Sequence, residues 1–84
     1  MSTCYNINNL HKHGVDILEV DAALANLATR VFDLPDGKQG SYRAMFVGFT
    51  AKGRLLEIAV EEIREGLDCV FHAAEATRFY RDQF

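Results

Sequence analysis

Between Tyr42 and Thr50 the chain reads YRAMFVGFT, and once Arg43 is passed both alternating sets of side chains are apolar. A segment that is apolar on both faces belongs between two covering layers, so it predicts a strand inside a sheet rather than at its rim. Ala51-Lys52-Gly53 follows at once, a tight hairpin in which Gly53 supplies a left-handed position. Beyond it Leu56, Ile58 and Val60 point one way while Glu57 and Glu61 point the other, which predicts a strand with one packed face and one wet face. This hairpin commits the chain to a sheet, and the remaining segments must be arranged around it.

Two short helices are expected before the sheet. Asn6 is placed to cap a helix in which Ile7 and Leu10 share a face, and Gly14 suits the left-handed residue that would end it. His11, Lys12 and His13 fall in its last turn, where cations suit the helix dipole. Asp16 followed by Glu19 approximates a capping box, with Val15 and Val20 spaced as a hydrophobic staple, and Ile17, Val20, Leu24 and Leu27 then recur at helical spacing.

After Ala28 the pattern changes. Thr29–Asp33 predicts a short strand, Pro35-Asp36-Gly37 a turn, and Arg64-Glu65-Gly66 another turn that returns the chain as a strand over Leu67–His72. Ala73–Phe84 then reads as a closing helix with Ala73, Ala76, Tyr80 and Phe84 along one side. The expected fold class is α+β: two N-terminal helices, an antiparallel meander sheet of about four strands, and a C-terminal helix packed on the sheet.

At 84 residues the chain is expected to form a single domain over residues 1–84, one that buries about 60–65% of the surface of its unfolded chain. No apolar run approaches the roughly 20 residues of a membrane span. The opening MSTCYNINNLHKHG lacks the basic-then-apolar order of a signal peptide, so a cytoplasmic location is expected. Cys4 and Cys69 are then expected to be reduced, with Cys69 in a packing role between Leu67 and Phe71. The formal charge of −3 gives no support to nonspecific nucleic-acid binding, and Glu61, Glu62, Glu65 and Asp68 against Arg64 account for all of it, leaving the rest neutral. No helix has the basic surface of a DNA reader, and direct DNA binding is not expected.

Several residues are able to do chemistry, and each also has an ordinary structural use. His11 and His13 stand two apart, on nearly opposite sides of a helix, so they do not form a metal site, and no motif calls for a cofactor. His72 sits where strand is expected to pass into helix, as a boundary residue or as a group exposed at the end of a sheet. Arg78 has Glu75 and Asp82 at helical spacing and is suited to lacing the surface, whereas Arg81 has no opposite charge within reach along the helix. Arg43 and Arg54 open their strands, as solvated ends or as binding groups. Phe46, Phe49 and Phe71 lie on core-like strands and read as packing.

Taken in order, these segments resemble the BrnT family, small ribonuclease toxins of bacterial type II toxin–antitoxin pairs. The similarity is carried by Lys12-His13-Gly14-Val15, Val31-Phe32-Asp33, Arg43 at the head of its strand, Gly53-Arg54-Leu55-Leu56, and His72-Ala73 with Ala76-Thr77 and Arg81. The chain departs from that pattern at Ala74, where an arginine is usual, at Tyr80, where an acid is, and at Asp68 and Cys69, where basic residues are, as in a divergent member.

The resemblance implies a fold related to RelE-type toxins and cleavage of RNA without a metal or cofactor. The ribose 2′-hydroxyl would attack the adjacent phosphate, so one group takes a proton, another gives one, and cations stabilise the charge that builds on phosphorus. By that analogy Arg43 and Arg81 serve the phosphate, His72 or His13 the proton transfers, and Lys12 and Arg54 the binding of substrate. The implied partners are RNA and a cognate antitoxin. The departures support an alternative, a catalytically inactive module that keeps the toxin fold and binds a protein partner or a second copy of itself.

Overall fold

In the computed structural model, which describes residues 2–84, the hairpin lies within a five-stranded sheet. The elements are β1 (Ser2–Tyr5), α1 (Ile7–Lys12), α2 (Ile17–Ala25), β2 (Arg30–Asp33), β3 (Arg43–Phe49), β4 (Leu55–Arg64), β5 (Leu67–Glu75) and α3 (Arg78–Arg81). In space the strands run β1-β5-β4-β3-β2, so β4 is central and β3 is interior as its doubly apolar pattern predicts. β2 through β5 form the expected antiparallel meander, and β1 adds a parallel strand on the outer side of β5. The sheet is therefore mixed, with one strand more than the sequence announces.

The helix starts follow their sequence signals. Asp16 accepts from the Glu19 backbone at 2.9 Å, and Glu19 reaches back to the Asp16 backbone, completing the capping box. Asn6 caps α1 through the Asn9 backbone at 3.1 Å. Gly14 and Gly53 have φ of 68° and 81°, the left-handed positions that end α1 and close the hairpin. Both staple residues, Val15 and Val20, are buried with Leu10 and Ala23 against Leu56, Ile58, Val70 and Ala73. That is the main core, between the first two helices and one face of the sheet. Each fully buried aliphatic side chain there contributes about 1.5–3 kcal/mol relative to exposure.

The opposite face carries a second, smaller cluster of Met45, Val47, Ala59 and Ala76, with Phe32, Leu34, Leu55, Phe71 and Tyr80 packed around it. The segment expected as a twelve-residue closing helix divides here. Ala73, Ala74 and Glu75 continue β5 opposite Ile58, Glu57 and Leu56, and only Arg78–Arg81 is helical. Burial of Ala73 and the ladder bonds outweigh the helix propensity of the alanines. Leu27, expected on the stripe of the second helix, is fully exposed beyond its end. Asn26 stops that helix by accepting from the Ala28 backbone and donating to the Phe49 carbonyl.

β1 also overturns the expected thiol state. Cys4 stands directly opposite Cys69 across the parallel pair, Cα atoms 4.5 Å apart, and the two form a disulfide. Cys69 is consequently half-buried in a crosslink rather than packed as a free thiol. No described helix is long and apolar enough to cross a membrane.

Candidate functional site

His72 owes its position to an irregularity in β5. Ala59 faces His72 and Val60 faces Val70, so Phe71 is an extra residue with no partner on β4. Val70 and Ala73 both pack into the helix-covered core although strict alternation would separate them. The bulge thus turns Phe71 and His72 to the other face together, a common way of re-aiming a side chain. The Phe71 carbonyl accepts a hydrogen bond from the Asn9 side-chain amide of α1.

On that face His72 meets Glu57. Its Nε2 lies 3.1 Å from Glu57 Oε2, while Glu57 Oε1 accepts from the Thr77 backbone at 2.7 Å, at the start of α3. Glu57 was expected on a wet face but is only 6% exposed, because α3 and its lead-in cover it. Both of its oxygens are bonded, as a carboxylate buried this deeply requires. An ionised Glu57 fixes Nε2 of His72 as a donor and leaves Nδ1 as the accepting nitrogen.

His13 reaches the same place from α1. It is the residue that ends that helix, its backbone bonded at 3.1 Å to the Leu10 carbonyl, and its ring stands edge-on to His72 with centroids 5.2 Å apart. Two imidazoles, one exposed and one half-buried, are therefore adjacent although 59 positions separate them in the chain. Lys12 precedes His13 and is exposed, with no side-chain hydrogen bond or salt bridge among the described residues.

Arg43 lies on the His72 side of the sheet. Its guanidinium carbon is 4.8 Å above the Phe71 ring, and its Nε is 3.2 Å from Glu61 Oε2. Ser41 donates its hydroxyl to the same Glu61 oxygen. The Ser41 hydrogen bond, with the bond and charge of Arg43 behind it, holds Glu61 below the usual carboxylate range in spite of some desolvation. Alongside them a cleft of about 620 Å³ opens between the Lys38–Tyr42 loop and the outer end of β4.

The two other arginines expected to serve the site, Arg54 and Arg81, make no hydrogen bond or salt bridge to His13, His72 or Arg43 among the described residues. Arg54 is held on the helix-covered side by Glu19 and Glu75, each at 3.0 Å, and donates to the Gly14 carbonyl at 3.1 Å. The Glu19 hydrogen bond, then that of Glu75, raises its already high pKa against desolvation. Arg54 thus braces the residue after His13. Arg81 is exposed on α3, with no side-chain hydrogen bond or salt bridge among the described residues, whereas Arg78 pairs with Asp82 at 3.7 Å across a solvated helix surface. Among the described residues no three His, Cys, Asp or Glu side chains are grouped to hold a metal ion.

Folding therefore joins His13 to His72, sets Arg43 against the residue preceding His72, commits Arg54 to a structural clasp, and leaves Lys12 and Arg81 exposed. Sequence reading missed Glu57, Ser41 and Glu61 as partners of these groups. A carboxylate inside the apolar run Leu55–Val60 was the available signal for Glu57. The chain matches no protein-family model, and no curated protein is similar to it.

Proposed function

We propose that this chain is a BrnT-like toxin with a RelE-related fold that cleaves single-stranded RNA without a metal and is neutralised by a cognate antitoxin. The observation that supports the reading is the His13–His72 contact with Glu57 behind it. His72, oriented through Nε2, presents Nδ1 to take the proton of the ribose 2′-hydroxyl. The 2′-oxygen then bonds to phosphorus, the bond to the 5′-oxygen breaks, and protonated His13 supplies the leaving oxygen with its proton. Lys12 and Arg81, both exposed and unbonded among the described residues, are available to the flanking phosphates. Positioned proton transfer of this kind contributes about 10²–10⁴ in rate. His13→Ala and His72→Ala are each expected to lower kcat against a single-stranded RNA by about that factor, in buffer containing a chelator, with folding checked by circular dichroism. RNA left intact by excess folded wild-type protein would remove the proposal.

One observation favours a second reading, a catalytically silent interaction module. Glu61 already neutralises Arg43, and Ala74 and Tyr80 stand where the resembled family carries charge. The free edge of β2 with exposed Val31 offers unpaired backbone to a protein partner or a second copy. A chain that stays monomeric in sedimentation and retains no coexpressed antitoxin would count against this reading.

A further inference from the structure

Arg43 is held in an unusual way for a phosphate ligand. Its guanidinium carbon lies over the Phe71 ring, and its Nε edge is engaged by Glu61, which Ser41 holds in turn. Its charge is therefore largely balanced before any ligand arrives. The side chain nonetheless remains 34% exposed, and it lines the cleft of about 620 Å³ where Phe71 does not. Arg43 thus touches both the aromatic ring and the cleft.

That opening suits a flat ligand with polar edges. Its wall carries Lys38, Arg43 and Arg64 against Glu61 and Glu62, a small cationic excess, and Ser41 and Tyr42 add neutral polar atoms. A planar guanidinium braced from behind stacks well on a heteroaromatic ring, which is how unpaired bases are held in RNA recognition. The volume lies in the range of pockets that enclose small ligands. The stack also adjoins the proposed chemistry, because Phe71 and His72 are turned to the same face by one bulge.

We propose that the Arg43–Phe71 stack is a nucleobase subsite, which holds one unpaired base of the RNA in the cleft between the Lys38–Tyr42 loop and β4. This inference rests on the RNA-cleaving reading and assigns Arg43 to the base rather than to the phosphate. The braced guanidinium replaces solvent on the base face, and the exposed Lys12 and Arg81 are left to meet the backbone.

The test compares adenosine 5′-monophosphate with ribose 5-phosphate, which differ by the base, in NMR titrations of the full chain. The monophosphate is expected to bind about tenfold more tightly, in keeping with the usual contribution of one stacked base. Saturation transfer should be strongest at the adenine ring protons. Arg43→Lys, which keeps a cation beside Glu61 without the planar surface, should abolish that margin. Equal affinities, saturation confined to the ribose, or a margin retained in Arg43→Lys would overturn the subsite. If the variant does not fold, the wild-type comparison decides alone. Base-dependent binding at Arg43 by a protein that leaves RNA intact upholds the subsite and removes the nuclease reading. RNA cleavage without any base preference in binding does the reverse.

Discussion

Glu57 has two oxygens and two duties, one toward the His72 ring and one toward the backbone at Thr77. Glu57→Gln separates them. The amide oxygen would keep the bond from the Thr77 N–H, and the NH₂ group would then face His72 Nε2 as a donor. An imidazole met by a donor at Nε2 must carry its own proton on Nδ1, the opposite tautomer. Nitrogen-15 shifts of the His72 ring, read with the imidazole neutral, should therefore exchange their pattern between wild type and variant while the fold persists. Loss of RNA cleavage should accompany the exchange. An unchanged tautomer would show that Glu57 does not orient the ring.

At the scale of elements, β1 is tied to the rest of the molecule at both of its faces and along its edge. Tyr5 donates its phenol to Asp21 of α2, and this hydrogen bond, with lesser help from desolvation and the nearby carboxylate charge, raises the tyrosine pKa to about 12. The neutral phenol is the form favoured by folding. Its contribution is therefore full below the ordinary pKa of 10.0 and is lost as pH rises through about 12. Urea titrations between those limits should show wild-type stability falling more steeply than that of Tyr5→Phe, and parallel curves would dismiss the tether. None of this was legible in STCY, where four residues are too few to show a period. The hairpin of β3 and β4 was legible because an unbroken apolar run, a glycine turn and an alternating run follow one another without interruption. The capping box announced α2 for the same reason of local chemistry. By contrast, the division of Ala73–Phe84 into strand and short helix depends on what lies across from it on β4, and the His13–His72 contact depends on a bulge that no spacing rule reveals. Local signals were readable, and relations between distant segments were not.

For the molecule as a whole, an 84-residue domain has little buried surface to spend, and the Cys4–Cys69 disulfide acts on the unfolded chain as much as on the native one. Closing a loop with a sequence separation of 65 residues restricts the unfolded ensemble, and a native bridge of this kind typically contributes about 2–4 kcal/mol. Cys4→Ser combined with Cys69→Ser, or treatment with a thiol reductant, is expected to lower stability by about that amount in denaturant melts. A change below about 0.5 kcal/mol would mean that the ladder and Tyr5 hold β1 unaided. The same bridge also decides how the protein would bear a load. Tension applied between its two ends would pass through the sulfur atoms from the first strand straight to the fifth. The first two helices and β2 to β4, closed within that covalent ring, would carry none of it until a reductant opened the link.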